Sequence, residues 1–126
     1  MSLSVTGIAQ LAMTVENVER SIAFYRDVVG LKFLFTAPPG LGFLECGGTR
    51  LMLSTRESGG PTEAHPVVFY RVASVRDAAA DLTARGVPLH KEPHVIAKLP
   101  HADLWLAFIL DPDGHLVGFM SEEKGS

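Results

Sequence analysis

A single cysteine, Cys46, stands in the 126 residues, so no disulfide can close within the chain and no cysteine-built zinc cluster can form. Basic residues are nowhere gathered into a block: 11 Lys and Arg are interspersed with 14 Asp and Glu, for a net charge of −3. Nothing here would neutralise a row of phosphates, and nucleic acid is excluded as the expected partner. No stretch approaches the roughly 20 apolar residues that span a bilayer, and the opening residues show no charged segment followed by an apolar one. The chain is expected to be neither exported nor membrane-embedded, and the reducing cytoplasm suits its lone thiol. What is present is 47% hydrophobic and 20% charged residues, the composition of one globular domain with a real core.

Residues 8–15 alternate, with Ala9, Leu11, Met13 and Val15 on one side and Gln10, Ala12 and Thr14 on the other, the period-2 signature of a half-buried strand. Asn17 follows where a helix N-cap belongs, and Val18, Ser21, Ile22, Phe24, Tyr25 and Val28/Val29 recur at helical spacing before Gly30. Strands are expected over 31–36, 41–46 and 50–54, separated by a Pro-Pro-Gly break at 38–40 and a Gly47-Gly48 turn. The first half reads β-α-β-β-β. Residues 56–66, with Gly59, Gly60, Pro61 and Pro66 among polar neighbours, are expected to be a connection.

The second half repeats the plan. A strand over 67–72 leads to Ser74 as N-cap, then to a helix whose face is Val75, Ala78, Ala79 and Leu82, closed by Gly86. A shift of 57 positions carries Val15, Asn17 and Val18 onto Val72, Ser74 and Val75, which points to internal duplication. Three strands are again expected, near 88–91, 103–110 and 115–120, the last entered through the turn Asp111-Pro112-Asp113-Gly114. The expected fold is α+β: two tandem βαβββ modules, about 5–56 and 65–121, whose curved sheets enclose a groove because each has one face covered by a helix and one left bare.

The segment Gln10-x4-Val15-x2-Val18, followed by Ser21-Ile22-Ala23-Phe24-Tyr25-Arg26-Asp27-x2-Gly30-Leu31, resembles the first module of the vicinal oxygen chelate superfamily, which holds glyoxalases, bleomycin-resistance proteins and extradiol dioxygenases. The Asp-Pro-Asp-Gly turn resembles that superfamily's closing turn, and the likeness spans essentially the whole chain. In metal-dependent members four inward-facing residues, His or Gln, Glu, His and Glu, hold a divalent ion that keeps open positions for substrate. Carried over by motif, these positions fall on Gln10, Met52, Val67 and Gly118. Only Gln10 offers a donor of that kind, and a slip to Leu51 or Leu53 changes nothing. One carboxamide does not hold a catalytic ion, which needs three or four converging donors. The resemblance therefore implies a member with a dismantled metal site, and no metal or other cofactor is expected.

Strand parity puts Gln10, Ala12 and Thr14, Arg50, Met52 and Ser54, Val67, Phe69 and Arg71, and Leu116, Gly118 and Met120 on the inward faces. Such a groove is mostly apolar, with two guanidinium groups suited to a carboxylate or phosphate; the alternative is that Arg50 and Arg71 reach solvent or pair with carboxylates such as Glu45. His94 and His101 follow prolines ahead of Trp105, and all three are candidates to line the groove, with a plain core position as the other reading of Trp105. His65, His90 and His115 sit in turns or connections and are expected to be solvated, Glu45 to face solvent, and Cys46 to be a small buried side chain. The leading functional reading is a metal-independent, homodimeric binder of a small organic ligand, resembling the superfamily's ligand-sequestering branch. The alternative is a metal-dependent lyase, isomerase or epimerase, or dioxygenase, using a divalent ion. A metal-free enzyme moving protons through Gln10, Glu45 or a histidine is the third.

Overall fold

The computed structural model describes residues 3–56 and 66–125; the connection expected over 56–66, with His65, lies almost wholly outside them. The chain divides into two compact units, Met1–His65 and Pro66–Ser126, and each has the same α+β order of elements. The first contains β1 (Gln10–Thr14), α1 (Val18–Ala23), β2 (Lys32–Ala37), β3 (Leu41–Cys46) and β4 (Thr49–Ser54); the second contains β5 (Val68–Arg71), α2 (Val75–Ala84), β6 (Lys91–Lys98), β7 (Asp103–Leu110) and β8 (Leu116–Glu123). The sheets are four-stranded and open, ordered β1-β4-β3-β2 and β5-β8-β7-β6. In each, the first strand runs parallel to the last and the other pairs are antiparallel.

In the first unit the helix starts where its amides find a partner. Asn17 is extended, with φ −140, and its side chain accepts the Arg20 N–H at 2.9 Å, satisfying a donor that has no partner within the helix. One α-helix is expected from here to Gly30, but the α-helical turns stop at Ala23 and the chain widens into a π-helix over Phe24–Val29. It closes on Gly30, whose φ of 93 is left-handed, with the N–H groups of Gly30 and Leu31 both donating to the Tyr25 carbonyl. Tyr25, Ile22 and Val18 pack with Met13, Leu44, Leu51 and Leu53 into a core. Gly42 sets how closely helix and sheet approach, because a Cβ there would lie 2.8 Å from Ile22 Cδ1 and 2.9 Å from Val18 Cγ1.

In the second unit α2 packs across β6, β7 and β8 through Val75, Ala79 and Leu82, over Ala107, Ile109, Val117 and Phe119. Two serines secure its start. Ser74 accepts the Asp77 N–H at 3.2 Å, while Ser121, buried on β8, accepts the Val75 N–H at 3.1 Å and donates to Glu123 at 2.7 Å. Arg76 completes the cluster by donating to Glu123 at 2.8 Å with its guanidinium 4.3 Å from the Trp105 ring centroid. The Ser121 hydroxyl, and after it the Arg76 guanidinium, hold the Glu123 carboxyl below the usual carboxylate range. The Asp-Pro-Asp-Gly turn is built by buried Asp111, whose Oδ1 accepts from the N–H groups of Asp113 and His115, both at 2.9 Å, while Gly114 takes a φ of 82.

The strand expected near 88–91 is displaced and much longer. β6 runs through Pro93, at the sheet edge, with register shifts between Lys91 and His94 and between Val95 and Ala97. An edge strand with a bulge tolerates the missing proline N–H. Cys46 is also corrected: it is exposed, because it ends β3 at the hairpin turn, past the reach of the helix.

Candidate functional site

Each sheet has one face packed by its own helix, and the candidate site residues are to be sought on the other. In the first unit the register β1·β4 sets Gln10 beside Arg50, Ala12 beside Met52 and Thr14 beside Ser54. The two-residue turn Gly47-Gly48, with φ values of 54 and 89, fixes the next hairpin so that Glu45 lies beside Arg50 and Phe43 beside Met52. β2 adds Lys32 beside Glu45 and Phe35 beside Phe43. These side chains share the helix-free face, since Gly42 and Leu44, between them in sequence, point the other way.

Arg50 is held there by two contacts. Its Nε donates to Gln10 Oε1 at 2.7 Å, and its guanidinium carbon sits 5.1 Å from the centroid of the Phe43 ring, a cation–π distance. The amide nitrogen of Gln10 lies 3.7 Å from the Met52 sulfur, so both ends of the carboxamide are engaged. Phe35 and Phe43 pack with centroids 4.9 Å apart. On this face a row of apolar side chains, Phe35, Phe43 and Met52, lies next to a polar row in which Arg50 is held by Gln10 and Phe43.

In the second unit the helix-free face holds Phe69, Gly118, Phe108 and Lys91 in one row and Arg71, Met120, Leu106 and His94 in the next. Phe69 and Phe108 meet edge to face at 5.6 Å. Gly118 lies under this pair: a Cβ on it would stand 2.5 Å from Phe69 Cδ1. The His94 Nδ1 lies 2.8 Å from the Glu92 carbonyl oxygen, which can only accept, so Nδ1 donates to it. Val67, just ahead of β5 and in phase with Phe69, is exposed.

The sequence-derived candidates thus fall into two sets. Gln10 touches both Arg50 and Met52 in the first unit; Phe69, Arg71, His94 and Gly118 share a face in the second. His101, in the loop before β7, reaches the end of that face and bonds Glu122 at 2.7 Å, in the open. Of the two readings of Trp105 the structure matches the core-side one: it pairs with Ser121 in register and carries Arg76 over its ring, so it belongs to the helix-covered face and not to the groove-lining one. Phe35, Phe43, Leu106 and Phe108 were not among the sequence candidates. The Gly47-Gly48 turn alone would have revealed Phe43, since counting back from it places Phe43 opposite Met52.

A divalent ion finds little to bind at the positions the resemblance implies. Gln10 offers an oxygen already bonded to Arg50, Met52 a thioether suited to soft metals, Val67 nothing, and Gly118 neither donor nor room. Among the described residues no three His, Cys, Asp or Glu side chains converge as a metal site.

The family model described as the Glyoxalase/Bleomycin resistance protein/Dioxygenase superfamily matches residues 7–119. No curated protein matches the chain in sequence. Similar solved structures include a lactoylglutathione lyase from Agrobacterium tumefaciens, 23% identical with a TM-score of 0.72, covering 92% of this chain and 93% of its own. TnmS3, an antibiotic binding protein from Streptomyces, is 22% identical with a TM-score of 0.75, covering 98% and 100%. A glyoxalase/bleomycin resistance protein/dioxygenase from Nocardioides is 24% identical with a TM-score of 0.72, covering 99% and 89%.

Proposed function

The chain belongs to the glyoxalase/bleomycin resistance protein/dioxygenase superfamily, and from that membership we propose that it binds a small organic ligand without a resident metal ion. Gly118 carries the reading. At the position where the resemblance implies a carboxylate ligand there is no side chain, and the Phe69 ring lies 2.5 Å from where one would begin. A side chain long enough to reach an ion would have to displace that ring. The remaining positions supply one carboxamide and one thioether, and imidazole and carboxylate donors are what such ions require.

Fold alone does not choose between binding and catalysis: the structural neighbours include both a lyase and an antibiotic binding protein. Side-chain chemistry favours binding. The helix-free faces expose one aromatic ring each beside a guanidinium group, Phe35 backed by Phe43 with Arg50, and Phe69 backed by Phe108 with Arg71, which suits an organic anion. The same reading takes the protein as cytoplasmic, on the strength of its single thiol. It also takes it as a homodimer, because each open sheet leaves two edge strands to cover.

The deciding experiment is the metal content of protein purified without chelator or metal-affinity resin, followed by calorimetric titration with zinc, nickel, manganese and ferrous ions. The expected result is far less than one ion per chain and no saturable heat. Tight, near-stoichiometric binding of any of the four overturns the metal-free reading and moves the protein to the lyase and dioxygenase side of its superfamily.

A further inference from the structure

Resting on that reading, we propose that the helix-free face of the first unit takes an aromatic carboxylate, clasped end-on by the two Nη atoms of Arg50 with its ring against Phe35. Arg50 is aimed by its neighbours. Its Nε is turned back to Gln10 on β1, at 2.7 Å, while its guanidinium carbon lies over Phe43 on β3. Among the described residues no hydrogen bond engages the two Nη atoms, and next to Phe43, on β2, Phe35 is 46% exposed. Among the described residues no carboxylate forms an ion pair with Arg50, although Glu45 is its direct cross-strand neighbour. An exposed arginine ordinarily samples many rotamers; this one has two restraints and an unused planar fork, so little ordering remains to be done when an anion arrives.

The geometry of that fork selects the anion. Two parallel N–H donors in one plane match the two oxygens of a carboxylate, and a single positive charge matches a single negative one. The surroundings select the body attached to it. Phe35 and Phe43, with centroids 4.9 Å apart and planes tilted by 39°, continue from the fork as an apolar surface on which Phe35 is the exposed ring, and Met52 lies beside Phe43 in the same row. An aryl ring joined to the carboxylate directly or through one or two carbons reaches from fork to Phe35, since neighbouring strands lie about 4.8 Å apart. Glu45, directly cross-strand from Arg50, places a negative charge beside the incoming carboxylate and weakens its binding.

The test is calorimetric titration of the intact protein with 2-naphthoate, its neutral twin 2-naphthamide, and 2-naphthyl phosphate, with the Arg50 Nε–Hε resonance followed by NMR. The proposal expects naphthoate to bind about tenfold or more tightly than the amide, as a charge-assisted bidentate bond requires, and to shift the Arg50 resonance. Arg50→Lys keeps the charge but loses the fork and the stacking; it should cut the preference for the acid over the amide severalfold. Glu45→Gln should strengthen naphthoate binding. Equal affinity for acid and amide, or a preference undiminished in Arg50→Lys, overturns the clasp while organic-ligand binding itself stands. Tighter binding of the phosphate overturns the carboxylate assignment. Failure of all three probes overturns the proposal, and the metal titration above then decides separately whether the broader reading also fails.

Discussion

Neither Gly42 nor Gly118 has a positive φ, so both are held by space and not by backbone freedom, and they differ in what fills that space. A methyl group at Gly42 would press on Val18 and Ile22, which are buried between helix and sheet and cannot move away. Gly42→Ala should therefore destabilise the protein by about 1–3 kcal/mol, the usual result of overpacking a core, measured by urea denaturation. At Gly118 the obstacle is the Phe69 ring, which is 42% exposed and can swing outward. Gly118→Ala should cost less, and in a Phe69→Ala background its cost should nearly vanish; a double-mutant cycle with no coupling would refute the contact. At this scale the sequence was only partly legible. Parity aligned Gln10 with Arg50 and Met52, because alternation is a local property. It said nothing about Phe69 crossing over Gly118, a contact between strands 49 positions apart in number, 118 − 69.

The start of α2 shows how an element is secured by residues remote in sequence. Ser121 receives the Val75 N–H and in turn supports Glu123, which receives Arg76. Ser121→Ala leaves a buried N–H without its partner and should cost about 1–3 kcal/mol, read from the denaturation midpoint. The same cluster gives a pH dependence of known sign. Glu123 ionises more readily folded than its ordinary value of 4.5, so its contribution is present above the unfolded pKa and is lost as pH falls through the lower, folded one. Between neutral pH and that acid range, the Tm of the native protein should fall more than that of Glu123→Gln; parallel curves would show that the carboxylate contributes nothing to folding. The helix starts at Asn17 and Ser74 were legible because a cap acts within three residues. β6 was not, since Pro93 ordinarily speaks against a strand and only the edge position and bulges reconcile the two. The π-helix over Phe24–Val29 was not either, because one shift in hydrogen-bond partner leaves no mark on hydrophobic spacing.

Across the whole molecule, chelation is the decisive perturbation. A protein whose fold carries a tightly bound ion loses that binding free energy when the ion is removed. With the donors at Gln10, Met52, Val67 and Gly118 so poor, EDTA should leave the Tm unchanged. A drop of about 4 °C or more, reversed by zinc or nickel, would contradict the metal-free reading. Duplication, the βαβββ order and family likeness were determined by the sequence itself, because they rest on local signals repeated along the chain: alternation, caps at Asn17 and Ser74, turns at Gly47-Gly48 and Asp111–Gly114. Which side chains meet was decided only by the tertiary structure. A strand's alternation says that Trp105 and Leu104 point opposite ways, but not which of them faces the helix; that choice was made by Ser121 and Arg76, brought to Trp105 by strand pairing and helix packing. Arg50 could equally have paired with Glu45. It turned instead to Gln10 and Phe43, a choice settled by rotamers and distances, which a linear pattern does not encode.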